Sequence, residues 1–228
     1  MAHQTSIPGW GTDKFFFTEA ARGGPLTWAI GDAGFDGDVL GPTRHAHDGA
    51  AEYFFMAEGA VRVEVGGDEF VVQEGDLCCI PADVPHNVLG PTSRIDAHLF
   101  CVVAPNFVDH KWRIDGFTEE GELGKATVGR PFVDAELPKS GGLSAEALTL
   151  KPTDEVRLET LQGRECVYFV CEGKLDLEFS NGLSGSLAPG AFQHVREGSP
   201  HKVSTASDEC RVLRIDCAFE SWATAVRS

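Results

Sequence analysis

The sequence is short of basic residues. Lys plus Arg number 19 against 35 Asp plus Glu, a formal net charge of −16 at pH 7. Such a surface repels a nucleic-acid duplex or an anionic membrane, so neither is expected as a partner. Long apolar runs are also missing. The longest, residues 97–105, is nine residues and is interrupted by His98, whereas a membrane helix needs roughly 20. The opening Met1-Ala2-His3-Gln4 lacks the basic-then-hydrophobic pattern of a secretory signal, and a cytoplasmic location is the expectation. Seven cysteines, at positions 78, 79, 101, 166, 171, 210 and 217, include no Cys-x-x-Cys pair. An odd number without paired spacing reads as reduced core thiols rather than a disulfide framework. Cys78 and Cys79, as neighbours, are expected on opposite faces of a strand. Helical periodicity is weak everywhere, and the best helical candidate is the short tail 221–227.

The 228 residues are 42% hydrophobic and 24% charged, ordinary for a globular chain of one large or two small domains. Gly (26) and Pro (12) recur at short intervals and separate brief runs rich in Val, Phe, Tyr and Ile. In Val61-Arg62-Val63-Glu64-Val65 the valines face one way and the charges the other. Short alternating runs between turn signals indicate an all-β sandwich or barrel.

The pattern also repeats. Glu52-Tyr53-Phe54-Phe55-Met56-Ala57-Glu58-Gly59 resembles Cys166-Val167-Tyr168-Phe169-Val170-Cys171-Glu172-Gly173, at an offset of 114 residues that Gly49 and Gly163 share. Gly75 to His86 and Gly190 to His201 repeat at an offset of 115. An offset held over two segments marks an internal duplication. The expected organisation is a first barrel over 1–105, a connection over 106–145 that holds a possible first strand of the second barrel, and a second barrel over 146–228.

The chemistry concentrates in the first copy. His45 and His47, two residues apart, share one face of a strand. Glu52 follows the turn-like Asp48-Gly49, and His86 follows Pro81-Ala82-Asp83-Val84-Pro85, whose two prolines set a rigid turn. Three imidazoles and a carboxylate suit a divalent first-row ion: iron first, then nickel, manganese, cobalt or zinc. One ion per chain is expected.

Gly41-x3-His45-x-His47-x4-Glu52-x6-Gly59, followed by Gly75-x5-Pro81-x4-His86, resembles the two signature motifs of the cupin superfamily. Asp83 stands where that family often has glycine, and Gly90 where it often has asparagine. The resemblance implies a double-stranded β-helix, or jelly roll, with His45, His47, Glu52 and His86 as metal ligands. With the duplication it implies two tandem cupin barrels, a bicupin similar to quercetinase-like metal-dependent dioxygenases. The second copy has lost most of this set: His45, His47 and Glu52 correspond to Glu159, Leu161 and Cys166, and only His201 matches His86.

Phe54 and Met56 share strand parity with Glu52, and Val88 shares it with His86, so an apolar pocket is expected beside the ligands. His98, on a later strand, is a further candidate for it. Arg44, next to His45, is expected to point outwards. The expected function is a metal-dependent dioxygenase acting on a small aromatic or enolisable oxygenated substrate, with dioxygen as co-substrate and Glu52 as ligand and general base. The alternatives are a non-redox isomerase, cyclase or lyase using the same ion, and a non-enzymatic small-molecule binder. Exposed sheet edges make a homodimer the expected assembly.

Overall fold

The strands form because their residues alternate or are apolar on both faces. In Ala60–Val65, Val61, Val63 and Val65 are buried while Arg62 is exposed. In Ala51–Glu58 the first six residues are all buried, as expected for a strand covered on both sides. A computed structural model describes residues 4–5, 27–33, 44–92, 97–104, 112–113, 124–140, 142–158, 164–196 and 198–218.

Nineteen strands run through these residues. They are β1 (Gln4–Thr5), β2 (Thr27–Ala33), β3 (Ala46–His47), β4 (Ala51–Glu58), β5 (Ala60–Val65), β6 (Asp68–Gln73), β7 (Leu77–Ile80), β8 (His86–Pro91), β9 (Ala97–Ala104) and β10 (Trp112–Arg113). They continue with β11 (Thr127–Gly129), β12 (Leu143–Leu150), β13 (Glu155–Leu158), β14 (Arg164–Glu172), β15 (Leu175–Phe179), β16 (Ser184–Leu187), β17 (Phe192–Val195), β18 (His201–Ser204) and β19 (Cys210–Ala218). Among the described residues there is no helix, and none is long and apolar enough to cross a membrane. The tail 221–227 lies outside the described residues.

Among the described residues four of the five sheets form two matching pairs, and the fifth is the two-stranded β10-β3. One five-stranded sheet has the order β11-β7-β4-β9-β2 and faces the three-stranded β6-β5-β8; the other has the order β1-β17-β14-β19-β12 and faces β13-β18-β15-β16. All pairings are antiparallel, so the chain forms two tandem jelly-roll barrels, as the resemblance implied. The duplicated strands occupy equivalent places, β4 with β14, β7 with β17 and β9 with β19.

One exchange crosses the duplication. Strand β11, which leads into the second barrel's β12, pairs with β7 of the first barrel: Val128 lies opposite Cys78. Strand β1 pairs with β17 of the second barrel, with Thr5 opposite Phe192. Each repeat thus lends its leading strand to the other repeat's sheet.

Three cores result. The first barrel is filled by Phe54, Met56, Cys78, Ile80, Val88, Leu99 and Cys101, with the valines of β5. The second is filled by Cys166, Tyr168, Val170, Leu177, Leu187 and Val212, among others. Between them the five-stranded sheets pack through Tyr53, Phe55, Cys79, Phe100, Phe169, Phe192 and Ile215, with the Phe100 and Phe169 rings stacked at 4.9 Å. Cys78 and Cys79 therefore do face opposite ways. All seven cysteines are free.

Candidate metal centre

The backbone brings the four candidate ligands together before any side chain is considered. His45 and His86 form an antiparallel bridge, His45 N donating to His86 O (2.9 Å) and His86 N to His45 O (2.8 Å). Directly opposed residues put their side chains on one face, and their ring centroids lie 4.3 Å apart. His47, two residues on, returns to the same face, 5.1 Å from the ring of His45 and 5.2 Å from that of His86. After the turn, β4 carries Glu52 opposite Ile80 and Val103 and into the same interior.

Asp83 holds the turn that bears His47. Its amide donates to His47 O (3.1 Å), and its Oδ1 accepts from Gly49 N (3.0 Å). It adopts φ 65°, the left-handed region, close to the φ 67° of Gly198 at the matching position of the second copy. Asp tolerates that conformation better than most residues.

The donor atoms of His45, His47, Glu52 and His86 all lie within 4.8 Å of one another, and all four residues are buried. Glu52 Oε2 is 2.9 Å from His47 Nε2 and 2.7 Å from His86 Nε2. His86 Nδ1 lies 2.9 Å from the Val84 carbonyl, which can only accept, so Nδ1 carries the proton and Nε2 keeps its lone pair for the centre. Burial alone would raise the Glu52 carboxyl, but the charge and hydrogen bond of His47, with those of His86, hold it well below the usual carboxylate range. Burial would lower His86, yet Glu52 and the Val84 carbonyl raise it. A concave set of three imidazoles and one carboxylate, with a lone pair aimed inward, fits a first-row divalent ion.

Residues 37–103, which contain this site, match the cupin domain family. The match lies within the first barrel and covers 67 of the 228 residues. No curated protein matches the chain. The fold is shared with solved structures. Protein Ylba from E. coli aligns with 13% identity and a TM-score of 0.65 over 94% of this chain and 87% of that one. Salicylate 1,2-dioxygenase from Pseudaminobacter salicylatoxidans aligns with 14% identity and a TM-score of 0.67 over 99% and 78%. Procruciferin, an 11S globulin from Brassica napus, aligns with 10% identity and a TM-score of 0.64 over 85% and 76%. These likenesses establish the cupin fold and leave the chemistry to the site.

Other residues of the cupin interior divide into those beside the site and those away from it. Phe54 lies 6.3 Å from the His86 ring, and Met56 and Val88 belong to the same interior core. His98 is not brought to the site. On β9, Leu99 and Cys101 face the interior and Phe100 and Val102 face away, so alternation turns His98 outward. It stands at the far end of the strand, opposite Glu58, with Nε2 3.7 Å from Glu58 Oε2. Arg44 points outwards and pairs with Glu64 at 3.3 Å.

One residue at the site escaped the sequence reading. The thiol of Cys101 donates to Glu52 Oε1 at 2.7 Å. Burial and the neighbouring Glu52 charge push this thiol well above its ordinary value, so it stays a protonated donor. In the second cupin barrel Glu159 and Leu161 lie outside the described residues. There His201 is engaged by Tyr168 (2.8 Å), and Glu165 sits on the opposite face from Cys166, bonded to His194 at 2.9 Å. Among the described residues only the first barrel gathers a metal-binding group.

Proposed function

We propose that the chain is a metal-dependent dioxygenase of small aromatic or enolisable oxygenated substrates, with one ion per chain held by His45, His47, Glu52 and His86. The observation that carries the metal is the burial of these four donors within 4.8 Å of one another. When bound, a redox-active ion such as iron would supply Lewis acidity towards an enolate or catecholate oxygen and electron exchange with dioxygen. The chain's own residues do the rest. The Val84 carbonyl fixes His86 in the tautomer a ligand needs. Cys101 occupies Glu52 Oε1, so Oε2 is the oxygen left to face the histidines and to take a hydroxyl proton from a substrate. Phe54, Met56 and Val88 give that proton transfer a dry, apolar wall suited to a flat substrate. The likeness to salicylate 1,2-dioxygenase, which has been captured with gentisate, supports the reaction class at the level of fold.

The test is metal content by elemental mass spectrometry together with oxygen uptake on gentisate, a catechol and a flavonol. We expect about one ion per chain and oxygen consumption, both lost when His47→Ala is combined with His86→Ala. Turnover of such substrates under strict anaerobiosis would instead establish the non-redox isomerase, cyclase or lyase. Protein that takes up no metal after reconstitution would overturn both and leave a binding protein.

A further inference from the structure

The small sheet of the second barrel differs from its duplicate on one side. In the first barrel β5 pairs with β6, so that Arg62 lies opposite Val71, Val63 opposite Phe70 and Glu64 opposite Glu69. The same three pairs in the second barrel, β15 against β16, are Asp176 with Ser186, Leu177 with Gly185 and Glu178 with Ser184. Phe70 packs its ring against the first core, whereas Gly185 brings no side chain to the second. Val71 is an exposed apolar residue, and Ser186 replaces it with a hydroxyl. The second sheet has thus lost bulk on both faces of its edge strand.

A cavity of about 320 Å³ opens where these changes fall, lined from β15, β16 and β18. Alternation turns Leu177 and Gly185 inward, so they form its deeper part. Around the mouth, Asp176 lies between Ser186 and Ser204, and Glu178 between Ser184 and Lys202. Short serines beside longer charged side chains leave the face hollow rather than filled. Ser186 Oγ donates to Asp176 Oδ1, which holds that carboxylate in place across the strands. The volume falls at the lower end of ligand pockets, enough for one small molecule.

The lining narrows the ligand. Two carboxylates and one ammonium leave an excess of negative charge, in a chain of net charge −16, which disfavours phosphates and carboxylates. Among the described residues no aromatic ring lines the cavity, so a nucleobase or flat aromatic acid finds no face to stack on. Carboxylates accept, the ammonium donates, and serine hydroxyls do both. The ligand that meets donors and acceptors side by side is one whose own groups also do both.

We propose that this groove binds a small neutral polyol of monosaccharide size, its hydroxyls held by Asp176, Glu178, Lys202 and the neighbouring serines, and its carbon skeleton over Leu177 and Gly185. The site lies on the second barrel and requires no metal, so it stands apart from the first-barrel reading.

Saturation-transfer NMR titration of the full-length protein with D-glucose, D-galactose and myo-inositol tests it, with ethanolamine as a small cation for control. At least one of the three polyols is expected to bind with a Kd of about 10 mM or tighter, equally before and after chelation of metal. Gly185→Phe, which places at this position the ring its duplicate carries, should abolish binding. Should that variant fail to fold, Glu178→Ala at an exposed position should weaken binding by about threefold or more. No binding of any of the three polyols, equal affinity for ethanolamine, or undiminished binding in the folded variants would each overturn the proposal.

Discussion

The thiol of Cys101 and the carboxylate of Glu52 are joined through one oxygen only. Cys101 Sγ lies 2.7 Å from Oε1, while Oε2 is left to His47 and His86. The thiol thus orients the carboxylate and keeps one of its oxygens turned away from the histidines. Cys101→Val removes the donor and leaves a buried carboxylate oxygen without a partner, a loss of about 1.5–3 kcal/mol. Cys101→Ser restores an O–H donor and is expected to recover most of it. Chemical denaturation of metal-free protein reads the stability. Cobalt titration reads whether affinity falls in the valine variant and returns in the serine one. Equal stability and affinity in all three proteins would show that the thiol only fills space.

The pH response of the metal-free centre follows from two opposed shifts. Glu52 titrates below its ordinary 4.5 because the histidines outweigh its burial. Its contribution is therefore full above that value and is lost as pH falls through the depressed one. His86 titrates above its ordinary 6.5 because Glu52 outweighs its burial. Its contribution is full below 6.5 and is lost as pH rises through the raised value. Melting of chelator-treated protein should peak in the mildly acidic window between these limits. Metal uptake should follow the reverse slope, since an ion must displace the His86 proton. Affinity should rise by about tenfold per pH unit until His86 is deprotonated. Affinity independent of pH in this range would remove His86 from the ligand set.

Asp83 separates two effects that a glycine would merge. Asp83→Gly relieves the left-handed backbone by about 1 kcal/mol but gives up the bond from Gly49, so stability is expected to stay nearly level. Asp83→Ala keeps the strain and loses the bond, costing about 1–2 kcal/mol. Thermal unfolding distinguishes the pair. Both variants should bind metal more weakly, because the turn behind His47 is then less firmly held.

Gly173 tolerates no side chain. At φ 76° it already sits in the left-handed region, and a Cβ there would run into the Glu209 carbonyl oxygen and lie 2.9 Å from Cys210 Cα. Both obstacles are backbone and cannot rotate aside. Gly173→Ala is expected to cost about 2–4 kcal/mol, seen as a lower melting temperature with the first-barrel metal stoichiometry retained in the protein that folds.

The duplication, the strand character and the four-residue centre were legible because they depend on spacing within short stretches. His45, His47 and Glu52 fall within eight residues, and His86 is tied to them by a proline-framed turn. Cys101 was not legible, because its meeting with Glu52 depends on the register of two strands 49 residues apart. His98 was misplaced for the same reason: the face of β9 is settled by its pairing with β4, whose register shifts between Met56 and Glu58.

The lending of β1 to the second sheet and of β11 to the first ties the two halves into one folding unit. A chain cut between the halves would leave β7 without β11 on one fragment and β17 without β1 on the other, each with unpaired backbone along its edge. Two copies of a single half would regain closure only by trading their leading strands with each other. The duplicated chain performs that trade within one molecule, so the partner that a single barrel would have to find by diffusion is supplied at the fixed local concentration of a covalent tether.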